Sequence, residues 1–181
     1  ELSCTHAAAL QGIAPAIAYS APGVLVCEFI TDATTLTPEL IRDPSRLRRI
    51  VPSIQAIHAV DPGITDRLQH FSPFAIAHKY LEIARSKGLT LPTHCDQGLA
   101  NTVQRLQGKI QPYTPTFTHN DMMPGNFLDT GDRIWVIDWE YSGTGHPLFD
   151  LAGLSSNCDF DEDLDQQLTS MYGLSEDMES D

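Results

Sequence analysis

Residues 43–58 carry the clearest periodic signal in the chain. Leu47, Ile50, Val51, Ile54 and Ile57 recur at three- and four-residue intervals, which sets them on one face of a helix. Asp43-Pro44 supplies a capping carboxylate followed by a proline preset for the first helical turn, and Thr37-Pro38 repeats that start just upstream. Pro52 is expected to kink the helix or restart it. Ser72-Pro73 opens another helix, with Phe74, Ala77, Tyr80, Leu81 and Ala84 on one face and Gly88 at its close. Further helices are predicted over 96–106, 147–155 and 161–172, the last closed by Gly173, and the Ala-rich residues 1–11 read as helical up to Gly12.

Shorter apolar runs predict strands. Residues 16–20 and 24–30 flank Ala21-Pro22-Gly23 as a hairpin would. A second hairpin is written in Phe127-Leu128 and residues 134–137, separated by the turn Asp129-Thr130-Gly131-Asp132. A strand at 116–118 is entered through the proline-rich residues 111–115. The order is hairpin, helices, hairpin, helices: an α+β domain with no internal repeat or low-complexity linker.

Composition narrows the class. With 181 residues, 41% of them apolar, the chain can bury one sizeable core, and a mean hydropathy of −0.18 suits a globular protein. No apolar run reaches the roughly 20 residues of a membrane helix, and the Ala-rich start lacks the basic segment of a signal peptide. Cys4, Cys27, Cys95 and Cys158 are scattered without a C-x-x-C pair, which reads as free thiols in a reducing, cytoplasmic compartment. His94-Cys95 has no second pair at ligand spacing and reads as structural, not zinc-binding.

Charge is uneven. Residues 1–118 hold 10 Lys/Arg and 9 Asp/Glu, whereas 119–181 hold 1 and 15. Such a surface does not suit nucleic acid as a partner. The acidic runs 159–165 and 176–181 read as solvated; within 118–154 the same sign can attract a metal ion or a cationic substrate.

The candidate chemistry lies in that stretch, at Asp121, Asn126, Asp138 and Asp150. A hairpin brings its open ends together, so Asn126, before its first strand, and Asp138, after its second, are expected to meet, with Asp121 five residues upstream of Asn126. Asp129 and Asp132 are explained as turn residues. An amide oxygen and carboxylates at one point suit a hard divalent cation that keeps several waters and takes its other ligands from phosphate. His119-Asn120-Asp121-Met122-Met123-Pro124-Gly125-Asn126 fits the H-x-D-x-x-x-x-N loop of kinases, with Asp138 at the place of the second metal-binding carboxylate. Mg²⁺ and ATP are the expected cofactor and co-substrate.

These residues, with the following IWVIDWEYSGTGHPLFDLAGLSSN, resemble small-molecule kinases of the choline/ethanolamine kinase family within the aminoglycoside phosphotransferase group, of protein-kinase-like fold. The resemblance implies that Asp121 orients the acceptor hydroxyl and takes its proton, and that Asn126 and Asp138 hold magnesium. His119 and Asp150 would brace the loop. Glu140 and Tyr141 would face the acceptor, a small cationic alcohol, with Trp139, Phe149 and Tyr172 as companions or, for Trp139 and Phe149, as core residues. Cys27, Glu28, Phe29 and Ile30 would form the hinge against adenine. Where many relatives place Asp before the proline of the last segment, this chain has His146.

The same resemblance makes the chain a single incomplete kinase-like domain, with residues 1–30 as a small-lobe remnant and hinge and 31–181 as the helical large lobe. No G-x-G-x-x-G is present, and Lys79 and Lys87 fall in a predicted helix instead of the strand that a phosphate-gripping lysine needs. Glu1 stands about where relatives carry the helix glutamate. These 181 residues alone are expected to be inactive. The function implied for the whole is ATP-dependent phosphorylation of choline or ethanolamine; the alternatives are an aminoglycoside phosphotransferase and a non-catalytic pseudokinase or binding module.

Overall fold

The computed structural model describes residues 1–64, 68–93 and 98–174. Helix α1 (Leu2–Leu10) stops at Gly12, whose φ of +68° lets the chain turn back. The first hairpin follows as β1 (Ile17–Ala21) and β2 (Val24–Cys27), with Gly23 at φ +78° in the turn. β2 ends earlier than the apolar run suggests, so residues 28–30 leave the sheet. A two-residue strand, β3 (Thr34–Thr35), then precedes α2 (Pro38–Ile41) and α3 (Pro44–His58), capped by Thr37 and Asp43 respectively.

α3 is the centre of the core. Its predicted face is wholly buried, with Leu47, Ile50, Ile54 and Ile57 each at 0% exposure. The helix runs unbroken through Pro52 and does not restart there. Pro52 and Arg48 both lie on the solvent side, where the carbonyl that loses its helical partner is open to water. Arg46 and Arg49 reach from the same helix to Asp129, a contact that the spacing of apolar residues could not reveal.

The second hairpin is formed by two strands that follow β4 (Thr116–Thr118) in the chain, β5 (Phe127–Asp129) and β6 (Ile134–Val136). They pair Phe127 to Val136 and Asp129 to Ile134, with β3 added on the free side of β5. β4 itself pairs antiparallel with β7 (Gly143–Gly145). Strands β3 and β7 are too short to show a period. The glycines of β7 serve an approach: the Thr144 amide donates to the Gln69 carbonyl and the Thr144 carbonyl accepts from the Phe71 amide. A Cβ at Gly143 would collide with that Gln69 oxygen. Helices α6 (Pro147–Asn157) and α7 (Glu162–Tyr172) follow, the latter closed by Gly173 at φ +93°.

The chain divides into two compact units, residues 1–71 with those from 115 on, and residues 72–114. The second unit contains α4 (Pro73–Ser86), capped by Ser72, and α5 (Leu99–Gln107), packed on one another with Leu81 and Val103 buried. Tyr80, expected on the buried face of α4, is 61% exposed. Within the described residues α5 begins at Leu99; its predicted start at residue 96, together with His94 and Cys95, lies outside them, as does the acidic run 176–181. Among the described residues no helix is long and apolar enough to cross a membrane.

Candidate active site

β4 delivers the chain into His119, which is fully buried. Its ring stands edge-on to Trp139 at 4.7 Å. Nε2 lies 3.0 Å from the Ile137 carbonyl and Nδ1 3.3 Å from the Asp121 amide. One tautomer satisfies both: Nε2–H donates to Ile137 and bare Nδ1 accepts from Asp121. Burial lowers the proton affinity of this imidazole below its usual range and keeps it neutral. The ring therefore joins the loop carrying Asp121 to the strand end carrying Asp138.

Asp150 secures the other side of the loop. Its side chain, on the first turn of α6, is shielded from solvent and accepts the His119 amide on Oδ2 at 2.9 Å and the Asn120 amide on Oδ1 at 2.7 Å. Asn120 is held at φ +67°, a left-handed conformation that Asn tolerates better than most residues. The Asn120 side chain donates to the Tyr141 carbonyl at 2.9 Å, and Ser142 Oγ donates to the His119 carbonyl at 3.2 Å. Asn157 completes the support by donating to the Met122 carbonyl.

The hairpin ends do meet. The Ile137 amide donates to the Asn126 carbonyl at 3.0 Å, which sets Asp138 directly beside the start of β5. Asn126 Nδ2 donates to the backbone oxygen of Asp121 at 2.9 Å and to its carboxylate at 3.1 Å. Since Nδ2 is spent on Asp121, the atom of this amide left for a cation is Oδ1. Asp138 is exposed and, like Asn120, left-handed, at φ +66°. Such conformations cost energy and persist where neighbouring contacts impose them.

Asp138 also lines a cleft of about 480 Å³ whose wall includes Cys27, Glu28, Phe29 and Ile30. The residues expected at the hinge thus share one cavity with a residue expected at the metal. Glu1 and Leu128 line it as well. The Glu28 amide is used within the fold, donating to the Ala16 carbonyl at 2.8 Å, and Phe29 is 88% exposed.

Glu140 and Tyr141 are exposed beside Asp138, the tyrosine at 47%. Their suggested companions divide. Trp139 is a core residue, 1% exposed and stacked on Phe117 at 5.8 Å. Phe149 packs against Phe71 at 5.2 Å. The Tyr172 hydroxyl lies 2.7 Å from Nδ1 of His58, so it belongs to a buried network and not to an acceptor wall. His146 caps α6 by accepting the Leu148 amide at 3.1 Å, the task an aspartate there would also perform.

Two long-range contacts carry no signal in the sequence, one at the turn end of the hairpin and one behind the loop. Asp129 is no simple turn residue: besides capping Gly131, it takes a bidentate pair from Arg49 at 2.9 and 2.7 Å and a third bond from Arg46 at 3.2 Å. His58, the last residue of α3, places Nε2 3.0 Å from Asp150.

A family model described as APH, phosphotransferase enzyme family, matches residues 7–180. The chain belongs to the phosphotransferase enzyme family. It is similar to protein LicA of Haemophilus influenzae, 27% identical over 130 residues that cover 72% of this chain and 48% of that protein. Among solved structures it resembles a choline/ethanolamine kinase family protein from Mesorhizobium loti, with TM-score 0.78 and 30% identity over 96% of this chain and 60% of that one. It also resembles choline kinase LicA from Streptococcus pneumoniae, with TM-score 0.78 and 24% identity, covering 94% of this chain and 60% of that one. The fold is therefore the protein-kinase-like α+β fold. The chain spans about half the length of the curated LicA relative.

Proposed function

We propose that the complete protein is an ATP-dependent phosphotransferase that moves the γ-phosphate to the hydroxyl of a small amino alcohol, choline or ethanolamine. The observation that carries this reading is the bond of Asn126 to Asp121 next to the closed hairpin end that bears Asp138. In support, Asp138 lines the cleft whose wall includes residues 27–30. Asp121 orients the acceptor hydroxyl and takes its proton. Asn126 Oδ1 and the Asp138 carboxylate are hard oxygen donors of the kind that hold Mg²⁺; when bound, magnesium neutralises charge on the β- and γ-phosphates. His119 and Asp150 hold the loop, and residues 27–30 meet the adenine. Residues 1–30 then correspond to a small-lobe remnant and hinge, and 31–181 to the large lobe.

The 30% identity to a choline/ethanolamine kinase family protein supports this acceptor class over aminoglycosides. The adjacent, exposed Glu140 and Tyr141 fit it, since a carboxylate and an aromatic face suit a compact ammonium group. The test is a panel of choline, ethanolamine and kanamycin-type acceptors with the complete protein under saturating Mg-ATP. Transfer to choline or ethanolamine is expected. Transfer to aminoglycosides alone would assign the other acceptor class, and no transfer to any of them would sink the enzymatic reading.

A further inference from the structure

We infer that His58 and Tyr172 are positioning residues for the catalytic loop, coupling the end of α7 to Asp121 through Asp150. Each step of the path is a direct contact. The Tyr172 hydroxyl meets His58 Nδ1 at 2.7 Å, and His58 Nε2 meets Asp150 Oδ2 at 3.0 Å. Asp150 in turn accepts the amides of His119 and Asn120, immediately before Asp121. The side chains of His58 and Asp150 are 5% and 0% exposed, so water does not substitute at the step between them.

The geometry explains what His58 adds. The two loop amides bind different oxygens of Asp150, so rotation of the carboxylate would lengthen one bond or the other. His58 holds the Oδ2 side against that rotation. Tyr172 fixes His58 in turn, by its hydroxyl and by an edge-on ring contact at 5.6 Å. Tyr172 is itself tied to α3, since Gln55 donates to its carbonyl at 3.1 Å. At the far end stands Asn120, held left-handed by these same amide bonds. Loosening Asp150 lets Asn120 relax toward an ordinary backbone conformation and carries Asp121 with it. A displacement of about 1 Å at a reacting group can cost on the order of 100-fold in rate.

The inference rests on Asp121 being the base, so its test has a readout that does not depend on that reading. In the complete protein Tyr172→Phe removes one hydroxyl and keeps the ring, while His58→Ala removes the brace. Tyr172→Phe is expected to lower kcat about fivefold and His58→Ala about 50-fold, each with the nucleotide KM within about twofold. The double variant should be no slower than His58→Ala, because both changes cut one path. Hydrogen exchange at the His119 and Asn120 amides should accelerate in Tyr172→Phe, with unchanged protection in α3. Unchanged exchange at those amides, or independent additive losses of kcat, would overturn the inference. So would protection lost throughout α3, which would mark a merely structural role. A wild-type protein without phosphotransfer would remove the base assignment, and the exchange result would still decide the coupling.

Discussion

The side-chain amide of Asn126 donates to both the carboxylate and the backbone oxygen of Asp121, so one residue orients the candidate base while offering its own Oδ1 to a cation. Asp121→Asn keeps an oxygen for that bond and removes the basicity. In the complete protein it is expected to lower turnover by about 10²- to 10⁴-fold with nucleotide affinity nearly unchanged. Steady-state rates and a nucleotide titration check this; unaltered turnover would take Asp121 out of the chemistry.

Asn126→Ala and Asp138→Ala should each raise the magnesium concentration needed for half-maximal activity. Each removes an oxygen from a cation that demands near-ideal octahedral geometry. Asp138 should have the larger effect because it is charged. Asn126→Ala should also retain a rate defect at saturating magnesium, since Asp121 loses its orienting bond. Magnesium titrations of both variants separate the two effects, and an identical magnesium dependence in all three proteins would contradict the shared site.

The parts of this site that are legible in the sequence are those set by short-range geometry. A hairpin must join its ends, so Asn126 and Asp138 can be paired from spacing alone, and Pro at the first helical position marks α2, α3, α4 and α6. What is not legible depends on side chains far apart in the chain. His58 is 92 residues from Asp150, and Arg49 is 80 residues from Asp129. A lone histidine at a helix end and an aspartate before a glycine carry no sign of such partners. Trp139 is buried for a reason that alternation does not supply: the buried strand positions are Ile134 and Val136, and Asp138 at φ +66° breaks that pattern, so the indole turns into the core against Phe117.

Acid should expose the Asp129 pair. Burial alone would raise this carboxyl, but the bonds from Arg49, the Gly131 amide and Arg46 outweigh it and hold the pKa at about 2, below the ordinary 3.8. A depressed carboxylate contributes stability that is fully present above the ordinary value and lost as pH falls through the folded one. Asp129→Asn is expected to lose about 2 kcal/mol at neutral pH. The gap between wild type and variant should narrow from about pH 4 to about pH 2. Denaturant midpoints across that range test it; a gap independent of pH would mean that the ion pairs contribute little.

Gly143→Ala should destabilise the first unit by about 1 to 3 kcal/mol, because the new methyl group meets the Gln69 carbonyl that Thr144 needs as its acceptor. Gly125→Ala is the matched control. No atom lies within 4 Å of a Cβ there, and it should be near neutral. Thermal unfolding of the two variants decides the point, and equal effects would show that residues 69–71 yield without cost.

The acceptor end rests on Glu140 and Tyr141. With Trp139 buried against Phe117 and Tyr172 bonded to His58, Tyr141 is the aromatic ring remaining from that set at the exposed side of Asp138. One good ring contact attracts an ammonium group by about 0.5 to 2 kcal/mol, too little for selectivity by itself. The carboxylate of Glu140 must therefore supply much of the discrimination. Glu140→Gln is expected to raise the choline KM about tenfold, with the ATP KM within about twofold, because the neutral amide keeps the size of the side chain and loses only its charge. Tyr141→Leu should raise the choline KM by a smaller factor. Initial-rate kinetics with choline and ATP varied in turn are the check. Equal changes in both constants would place Glu140 in the nucleotide site, and no change in either would move acceptor recognition elsewhere on the protein.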